Sequence, residues 1–450
     1  MRNNYEEEKK LVKKYDKQGP RYTSYPPVPF WKGAPKESEW KNHITTSYDS
    51  TKGVDIYVHI PYCQELCYYC GCHKVIKKDL TIQEPYLVAL IKEWKLYAST
   101  IKDLKINSLH FGGGTPTFLT PENFKVFLDV LKPHFTSNFI GSVEADPRTT
   151  FVEHLDVFIE YGISRISMGI QDFDISVQKK INRIQSFEMV QKLTEEVRKR
   201  NFHSLNFDLI YGLPLQSWDS MNKTIELTNQ LKPDMIAFYS YAHVPWKIKN
   251  QNLIKEEDLL LGEDKLNLYL LARDKFTESG YVEIGLDHFA LKGSPLDLAK
   301  QNKKLLRNFM GYVDQKANMI IGLGVSSISS SSKSFVQNEK LVSDYIKRVD
   351  NGELPFCEGH THEALDIVVE NLIQDIMCKS EWKKPVDFPN SEFITEELQK
   401  MKDDGLLELM DDGNSYKMTE RGQPFLRNVA MLYDFHLTNK KNQSRFSRTV

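Results

Sequence analysis

Four of the chain's six cysteines lie together in the stretch PYCQELCYYCGC, at Cys63, Cys67, Cys70 and Cys72. Clustered thiols bind zinc, form disulfides or hold an iron–sulfur cluster. Zinc usually takes two separated pairs of ligands, and one ion shared by four thiols of a single short loop would strain the chain. Three thiols at the spacing C-x3-C-x2-C lie around one face of a loop, where they can hold three irons of a four-iron cluster and leave the fourth iron open. We therefore favour an iron–sulfur cluster bound by Cys63, Cys67 and Cys70 over zinc and over disulfides.

The composition limits the classes of function. The chain has 450 residues, enough for one large α/β domain and a smaller one, and its hydrophobic (40%) and charged (27%) fractions are those of an ordinary globular protein. Lys plus Arg number 59 and Asp plus Glu number 61, whereas bulk nucleic-acid binding needs a basic excess. The N-terminus is polar, and no apolar run approaches the ~20 residues that span a bilayer. We expect a cytoplasmic protein that binds neither nucleic acid nor a membrane.

Strand-like and helix-like segments alternate along most of the chain. Residues 55–60 are predicted to form a strand that runs into the cysteine loop, and residues 81–97 a helix with a capping signal at Thr81 and Glu84. Further strands are predicted at 108–111, 142–145, 163–168, 205–211 and 235–238. Such alternation predicts a parallel sheet or barrel, which carries its chemistry at the C-terminal ends of the strands. The cysteine loop, GGGTP, EADP, SMGIQDF and DLIYGLP each follow a strand, so we expect them at one rim.

The cysteine spacing resembles that of the radical S-adenosylmethionine (SAM) enzymes. An aromatic residue, Tyr69, precedes the third cysteine, and the glycine-rich GGGTP follows the next strand. Glycines let backbone amides approach a ligand closely, and the family uses this loop for the amino group of SAM. The resemblance implies a [4Fe–4S] cluster whose open iron binds SAM, and a 5′-deoxyadenosyl radical that takes hydrogen from an unactivated carbon.

Over nearly the whole chain the sequence is similar to the oxygen-independent coproporphyrinogen III oxidases, also called coproporphyrinogen dehydrogenases. The similarity includes KYDKQGPRYTSYP, YVHIPYCQELCYYCGCHK, HFGGGTPTFL, SVEADPR, RISMGIQDFD, NFDLIYGLP, YSYAHVPW, GLDHFA and GLGVSSIS. The additional Cys72 and RYTSYP distinguish the sequence from the related haem-chaperone branch. The resemblance implies an α/β fold with a partial (β/α)6 TIM-like barrel of the radical SAM type at 51–350. An N-terminal segment at 1–50 precedes it, and a smaller, mainly helical domain at 355–450, with a strand pair near 406–418, follows.

The reaction implied by this resemblance is an anaerobic oxidative decarboxylation in haem biosynthesis. The propionates on rings A and B of coproporphyrinogen III become vinyl groups, and the product is protoporphyrinogen IX. SAM acts as the oxidant and is expected at two sites. The resemblance also implies an electron donor of flavodoxin or ferredoxin type, a final electron acceptor that the sequence does not name, and a monomer.

Site residues follow from the resemblance where the motifs match. Cys63, Cys67 and Cys70 are predicted to bind the cluster, and Glu144 and Gln171 to contact one SAM each. The complete set of predicted cofactor-binding residues is Tyr57, Tyr69, Gly113, Gly114, Thr115, Glu144, Gln171, Arg183, Asp208, Ala242 and Ile328. Cys72 is a candidate catalytic residue without an assigned step.

Several of these residues also have a purely structural interpretation. Tyr57, Ala242 and Ile328 would ordinarily belong to the core, and Cys72 can be a small buried residue. A single arginine such as Arg183 most often forms an ion pair. Its guanidinium nevertheless suits the carboxylate of a ligand, because it binds carboxylates in bidentate fashion.

The four carboxylates of the expected substrate require cations in the pocket. We expect Arg21 of RYTSYP to supply one of them, and Arg307 is a weaker candidate. The sequence departs from the family pattern at Leu306, Met310 and 355–390, which bears on substrate fit. Three alternatives therefore stay open: a divergent paralogue that acts on haem, such as a ring-opening methyltransferase; a haem chaperone with a vestigial cluster; and a zinc-stabilised binding module.

Overall fold

The computed structural model describes residues 10–314, 318–437 and 446–448. Its strands are β1 (Val54–Ile60), β2 (Tyr62–Cys63), β3 (Val75–Ile76), β4 (Ile106–Gly113), β5 (Phe135–Ala145), β6 (Ile163–Gln171), β7 (Ser204–Tyr211), β8 (Met235–Ser240), β9 (Tyr281–Ile284), β10 (His288–Leu291), β11 (Leu306–Asn308), β12 (Gly311–Val313), β13 (Ile320–Leu323), β14 (Ile328–Ser330), β15 (Ser334–Asn338), β16 (Phe356–Thr361), β17 (Glu381–Lys383), β18 (Leu407–Leu409) and β19 (Ser415–Met418). The α-helices that pack around them are α1 (Glu37–Ser47), α2 (Gln83–Thr100), α3 (Pro121–Leu131), α4 (Val152–Glu160), α5 (Ile175–Lys180), α6 (Phe187–Lys199), α7 (Trp218–Leu231), α8 (Gly262–Glu278), α9 (Pro295–Gln301), α10 (Val342–Asp350), α11 (Ala364–Gln374), α12 (Ser391–Asp403) and α13 (Leu426–Leu432).

A 12-stranded sheet forms the centre of the protein, in the order β16-β15-β14-β13-β1-β4-β5-β6-β7-β8-β10-β9. Every neighbouring pair from β13 to β8 is parallel, and the strands added at both edges are antiparallel. Helices follow β1, β4, β5, β6, β7 and β8, which makes six βα units. The predicted α/β fold with a partial (β/α)6 barrel is therefore confirmed.

Apolar residues on one face of the strands account for the position of the core. Val54, Ile56, Val58 and Ile60, which share one face of β1, are all completely buried, whereas Asp55, Tyr57 and His59 lie on the opposite face. The predicted capping role of Thr81 is wrong. Helix α2 begins at Gln83, after a 3-10 turn in which the Asp79 carboxylate accepts the backbone N–H of Thr81.

The N-terminal segment packs against the C-terminal part of the chain. Tyr22 and Tyr25 donate hydroxyl hydrogen bonds to the buried Asp434 carboxylate, at 2.9 and 3.3 Å. The strand pair expected near 406–418 is present as β18 and β19, in a small sheet with β17. Strand β16 extends the main sheet beyond residue 355, and the division into three domains stays a prediction. Among the described residues, no helix combines the length and hydrophobicity needed to cross a membrane.

A buried carboxylate ties helix α2 to the loop after β13. Glu93 is completely buried and accepts hydrogen bonds from Tyr345 Oη (2.6 Å), Asn338 Nδ2 (2.6 Å) and the Gly324 backbone N–H (2.7 Å). Burial raises the pKa of Glu93 to about 7, and these hydrogen bonds oppose the rise. The proton on Glu93 therefore titrates near neutral pH.

This titration predicts a pH-dependent stability. Because the folded state raises the pKa of Glu93 above its usual 4.5, the contribution of Glu93 to stability is complete below pH 4.5 and is lost as the pH rises through about 7. Glu93→Gln keeps the shape and removes the titration. We expect the melting temperature of the wild type to fall relative to that of Glu93→Gln by several degrees between pH 5 and pH 8. Glu84→Gln, at an exposed position of the same helix, is the control, and a gap between wild type and Glu93→Gln that does not vary with pH would contradict the assignment.

Candidate active site

A cavity of about 1160 Å³ lies at the C-terminal ends of the parallel strands and extends along their inner faces. All the loops that were predicted to share one rim contribute to it. Most of the predicted site residues line this cavity, namely Cys63, Cys67, Cys70, Cys72, Tyr69, Gly113, Gly114, Thr115, Glu144, Gln171, Arg183 and Asp208. Tyr57, Ala242 and Ile328 do not line it.

The glycine-rich loop after β4 packs directly against the first cysteine. Thr115 Oγ1 donates to Cys63 Sγ at 3.2 Å, and the Gly114 backbone N–H donates to the Ile60 carbonyl at 2.8 Å. A Cβ on Gly114 would lie 2.6 Å from the Pro61 carbonyl oxygen and 3.0 Å from Cys63 Sγ. Glycine is therefore required at this position by the close approach of the two loops.

Two arginines that share one carboxylate surround the second cysteine. Arg183 Nη1 and Arg148 Nη2 lie 3.7 and 3.9 Å from Cys67 Sγ. The same two groups bind Asp146, at 3.0 and 2.7 Å. Burial alone would raise the pKa of Asp146, but the arginines outweigh burial and lower it to about 2. Asp146 therefore stays ionised and keeps both cations aligned on the thiol of Cys67.

The third and fourth cysteines differ in protonation. The hydrogen bond from the Cys72 side chain lowers the pKa of Cys70 to about 6, while burial opposes this shift and Lys74 adds to it. The same hydrogen bond raises the pKa of Cys72 well above its usual value. Of the two, Cys70 is therefore the thiol that ionises more readily, as a metal ligand must, and Cys72 lines the same cavity.

Glu144 at the end of β5 faces the glycine loop. The Gly113 backbone N–H donates to Glu144 Oε2 at 3.3 Å, and His110 Nε2 lies 3.4 Å from Oε1. The ring of Tyr57 stacks on His110, with 5.8 Å between the ring centroids, and its hydroxyl lies 3.1 Å from His59 Nδ1. Tyr57 thus lies beside His110, a residue of the cavity wall, on the same face of the sheet.

Asp208 and Gln171 occupy the neighbouring strands. Asp208 accepts hydrogen bonds from Ser167 Oγ and Asn206 Nδ2, both at 2.9 Å. Burial raises the pKa of Asp208 to about 6, and the nearby charge of Glu144 adds to the rise. Gln171 ends β6 with a φ of 67°, a left-handed conformation that is uncommon for a residue with a side chain.

Ala242 and Ile328 lie next to the cavity wall. The Ala242 carbonyl accepts from Gln251 Nε2 at 3.1 Å, and the same amide donates to the Tyr69 carbonyl at 2.9 Å. The backbone of Ile328 packs on Gly322, which pairs with Tyr57 across the sheet. Both residues therefore border the predicted SAM contacts without reaching the cavity.

The two arginines expected to bind substrate carboxylates lie outside the cavity. Arg307 is buried, its Nη1 lies 3.4 Å from Asp287, and its guanidinium stacks over the Tyr312 ring. Arg307 resembles Arg183 in having one carboxylate partner and a buried Nε without a hydrogen-bond partner among the described residues, but it does not line the cavity, and its contact with substrate stays a prediction. Arg21 donates to the Ser240 carbonyl at 2.8 Å, at the end of β8. Of the two substituted positions, Met310 lines the cavity and Leu306 does not.

Comparison with known proteins identifies the family. The model of the radical SAM superfamily matches residues 57–228. The oxygen-independent coproporphyrinogen III oxidases of Pseudomonas aeruginosa and Helicobacter pylori (strain J99) are 35% and 36% identical to the chain, and the matches cover 98% and 97% of it and 98% of each relative. The chain belongs to this family. The solved structure of the coproporphyrinogen III oxidase HemN from Escherichia coli, described as a radical SAM enzyme, is 32% identical, covers 93% of the chain and 98% of its own, and superposes with a TM-score of 0.87.

The cofactors of this family are a [4Fe–4S] cluster and SAM, and the residues present suit both. Cys63, Cys67 and Cys70 line one cavity, and N–H and O–H donors point at two of their sulfurs. Arg183 Nε is buried and has no hydrogen-bond partner among the described residues, which suits an incoming carboxylate. In the part of the chain that the structure describes, no three His, Cys, Asp or Glu side chains are arranged to hold a single metal ion.

Arg148 is a member of this site that the sequence did not identify. It lies in SVEADPR, but the motif alone does not show that its side chain returns to the cysteine loop. It binds Asp146 with Nε and Nη2, and its Nη1 lies 3.0 Å from Glu65. The feature of the sequence that could have identified Arg148 is its position two residues after Asp146, in a loop that follows a predicted strand.

The packing of the glycine loop predicts opposite results for two glycines. Gly114→Ala places a methyl group against the immobile Pro61 carbonyl and Cys63 Sγ, so we expect loss of most of the iron after anaerobic reconstitution. Gly71→Ala, in the same region, meets only the end of the Ile248 side chain, which can rotate away, and should keep the iron content of the wild type. Equal iron and sulfide contents of the two variants would contradict this account.

Proposed function

We propose that the chain catalyses the oxygen-independent oxidation of coproporphyrinogen III to protoporphyrinogen IX, a step of haem biosynthesis. The main support is its similarity over 98% of its length to enzymes of that name. The three thiols that line one cavity agree with it. The alternatives, a ring-opening methyltransferase, a haem chaperone and a zinc-binding module, have no comparable support.

The cysteine loop is proposed to hold the cluster through Cys63, Cys67 and Cys70. When bound, the cluster and SAM supply the one-electron chemistry that removes a hydrogen atom from an unactivated carbon. The protein contributes donors to the thiolates, namely the Thr115 hydroxyl at Cys63 and the two guanidinium groups at Cys67. Charge-assisted hydrogen bonds of this kind stabilise negative charge on sulfur and orient the ligands.

The remaining predicted residues are proposed to position SAM. The Arg183 guanidinium offers its buried Nε to a carboxylate, and Glu144 and Asp208 offer carboxylate oxygens to amino or hydroxyl groups. Gln171 is proposed as the contact of a second SAM. The main-chain N–H groups of the glycine loop and the ring of Tyr69 complete the set.

Each propionate must lose a hydrogen atom, one electron and carbon dioxide to become a vinyl group. The electron leaves for a separate electron acceptor, and a flavodoxin- or ferredoxin-type protein is proposed as the donor that reduces the cluster. A monomeric state and a cytoplasmic location are further proposals from the sequence.

The decisive experiment is an anaerobic assay of the reconstituted protein with coproporphyrinogen III, SAM and a reductant. We expect protoporphyrinogen IX, measured as protoporphyrin after oxidation, together with two molecules of carbon dioxide per substrate. Cys67→Ser should abolish the product and lower the iron content, because it removes one of the three ligands. Bound haem without turnover would instead indicate a chaperone, methylated or ring-opened haem a methyltransferase, and zinc without iron a binding module.

Arg21 is proposed to contact one substrate carboxylate from beside β8. If it does, Arg21→Ala should weaken binding of coproporphyrinogen III about tenfold, the usual loss for one hydrogen bond to a charged group. Arg273→Ala, which removes an arginine of α8 paired with Asp274, is the control. Unchanged substrate affinity in an equilibrium titration of Arg21→Ala would exclude this contact.

A further inference from the structure

The cysteine loop is covered on its outer side by a short 3-10 helix, Lys249–Leu253. Asn250 of this helix directs one side-chain amide at three carbonyls of the loop, because its Nδ2 lies 3.3 Å from the Cys67 oxygen, 2.8 Å from the Tyr68 oxygen and 3.1 Å from the Cys70 oxygen. The amide nitrogen therefore acts as a donor here, and its two hydrogens are shared among the three carbonyl oxygens.

Gln251 binds the Tyr69 carbonyl, the one carbonyl of residues 67–70 that Asn250 does not contact. Its Nε2 donates to the Tyr69 oxygen at 2.9 Å and to the Ala242 oxygen at 3.1 Å. The two side chains thus occupy four consecutive carbonyls, those of residues 67–70. Upstream of these, Asn182 Nδ2 donates to the Leu66 carbonyl at 2.8 Å.

The two amides are themselves held in place. Gln251 is buried, and its side-chain oxygen accepts the Val244 backbone N–H at 2.6 Å. The side-chain oxygen of Asn250 lies 3.5 Å from Lys74 Nζ, which donates to the Cys70 carbonyl at 2.8 Å. Rotation of the buried Gln251 amide would leave polar groups unpaired, which costs about 1–3 kcal/mol, and the half-buried Asn250 amide lies against Lys74.

We infer that Asn250 and Gln251 are positioning residues that hold the cysteine loop in its cluster-binding conformation before the cluster arrives. A loop that carries negatively charged thiolates has to turn its carbonyl oxygens away from them, and each turned carbonyl needs a donor on the outer side. The two amides supply these donors. We call these hydrogen bonds of Asn250 and Gln251 to the carbonyls of residues 67–70 the clamp. The role given to the clamp rests on the proposed function, whereas its hydrogen bonds are present in the metal-free chain.

Hydrogen exchange of the metal-free protein tests the clamp directly. Asn250→Ala removes the donor to three carbonyls, so we expect the amides of Tyr68 and Cys70 to exchange about tenfold faster, as for the loss of about 1.4 kcal/mol of local stability. Asn252→Ala is a matched control, because Asn252 lies in the same helix and donates only to the Lys249 carbonyl of its own turn. Equal exchange in the two variants would overturn the inference.

Gln251→Glu provides a second variant that changes little in shape. The carboxylate still accepts the Val244 N–H but offers no donor to the Tyr69 and Ala242 carbonyls. We expect faster exchange at the same loop, faster loss of iron from the reconstituted protein to a chelator, and weaker binding of SAM, each by about tenfold relative to wild type. Wild-type values for all three measurements would contradict the role of Gln251.

The role of the two amides and the proposed function can be disproved separately. If the wild type assembles no cluster under anaerobic reconstitution, the proposed function is wrong, while the exchange comparison between Asn250→Ala and Asn252→Ala still decides whether the clamp exists. If the wild type assembles a cluster and both variants keep the exchange rates and chelator resistance of the wild type, the clamp is wrong and the proposed function stands.

Discussion

Three thiols of one short loop have to face the same space, and the rest of the site depends on that constraint. The loop between β1 and α2 has little core of its own, and thiolates repel one another at close range. Its conformation is therefore imposed by its neighbours. Thr115 and Gly114 contact Cys63. Arg148 and Arg183 contact Cys67. Asn250 binds backbone carbonyls of the same loop. All of these segments follow the C-terminal ends of strands, so the parallel register of the sheet brings them to the loop.

Arg148 and Arg183 are held close together at this rim because both pair with the Asp146 carboxylate. Two adjacent guanidinium groups would repel each other, and the ionised Asp146 between them removes that cost. Glu65, which pairs with Arg148 at 3.0 Å, balances the second arginine, but N–H groups of both guanidinium groups still point at Cys67, where a thiolate has to form. Because the site is partly buried, these interactions are stronger than they would be in water. The charges that stabilise the thiolates are thus fixed before any cofactor binds.

Much of the fold was predictable because it depends on local patterns. Strands predicted at 55–60, 163–168 and 205–211 are present, with bounds that differ by a few residues at most. The long strand β5 begins at Phe135, seven residues before the predicted strand at 142–145. Its first half, FTSNFIG, is largely half-exposed or exposed, and apolar and polar residues do not alternate in it. The cap of α2 was misassigned for a similar reason. Thr81 with Glu84 has the spacing of a capping box, but the preceding Asp79 competes successfully for the same backbone N–H group.

Contacts between residues far apart in the chain could not be predicted in this way. The sequence does not show that Arg307 pairs with Asp287, and the segment KNQNL carries no pattern that marks it as part of the site. Asn250 lies 180 residues from Cys70, and only the end of β8 brings the two together. The same holds for Arg148, whose partner Cys67 lies 81 residues earlier in the chain.

The sequence by itself determined the chemistry that is possible: three thiols at a defined spacing, a glycine loop one βα unit later, and alternating strands and helices that place both at one rim. These features depend on residue type and short-range order, which a sequence states directly. The tertiary structure alone decided which arginines contact the thiols, which arginines form ion pairs elsewhere, and which side-chain amides bind the carbonyls of the cysteine loop. Those choices depend on the register and curvature of the sheet, because a hydrogen bond requires donor and acceptor within about 3 Å, a distance that sequence separation does not specify.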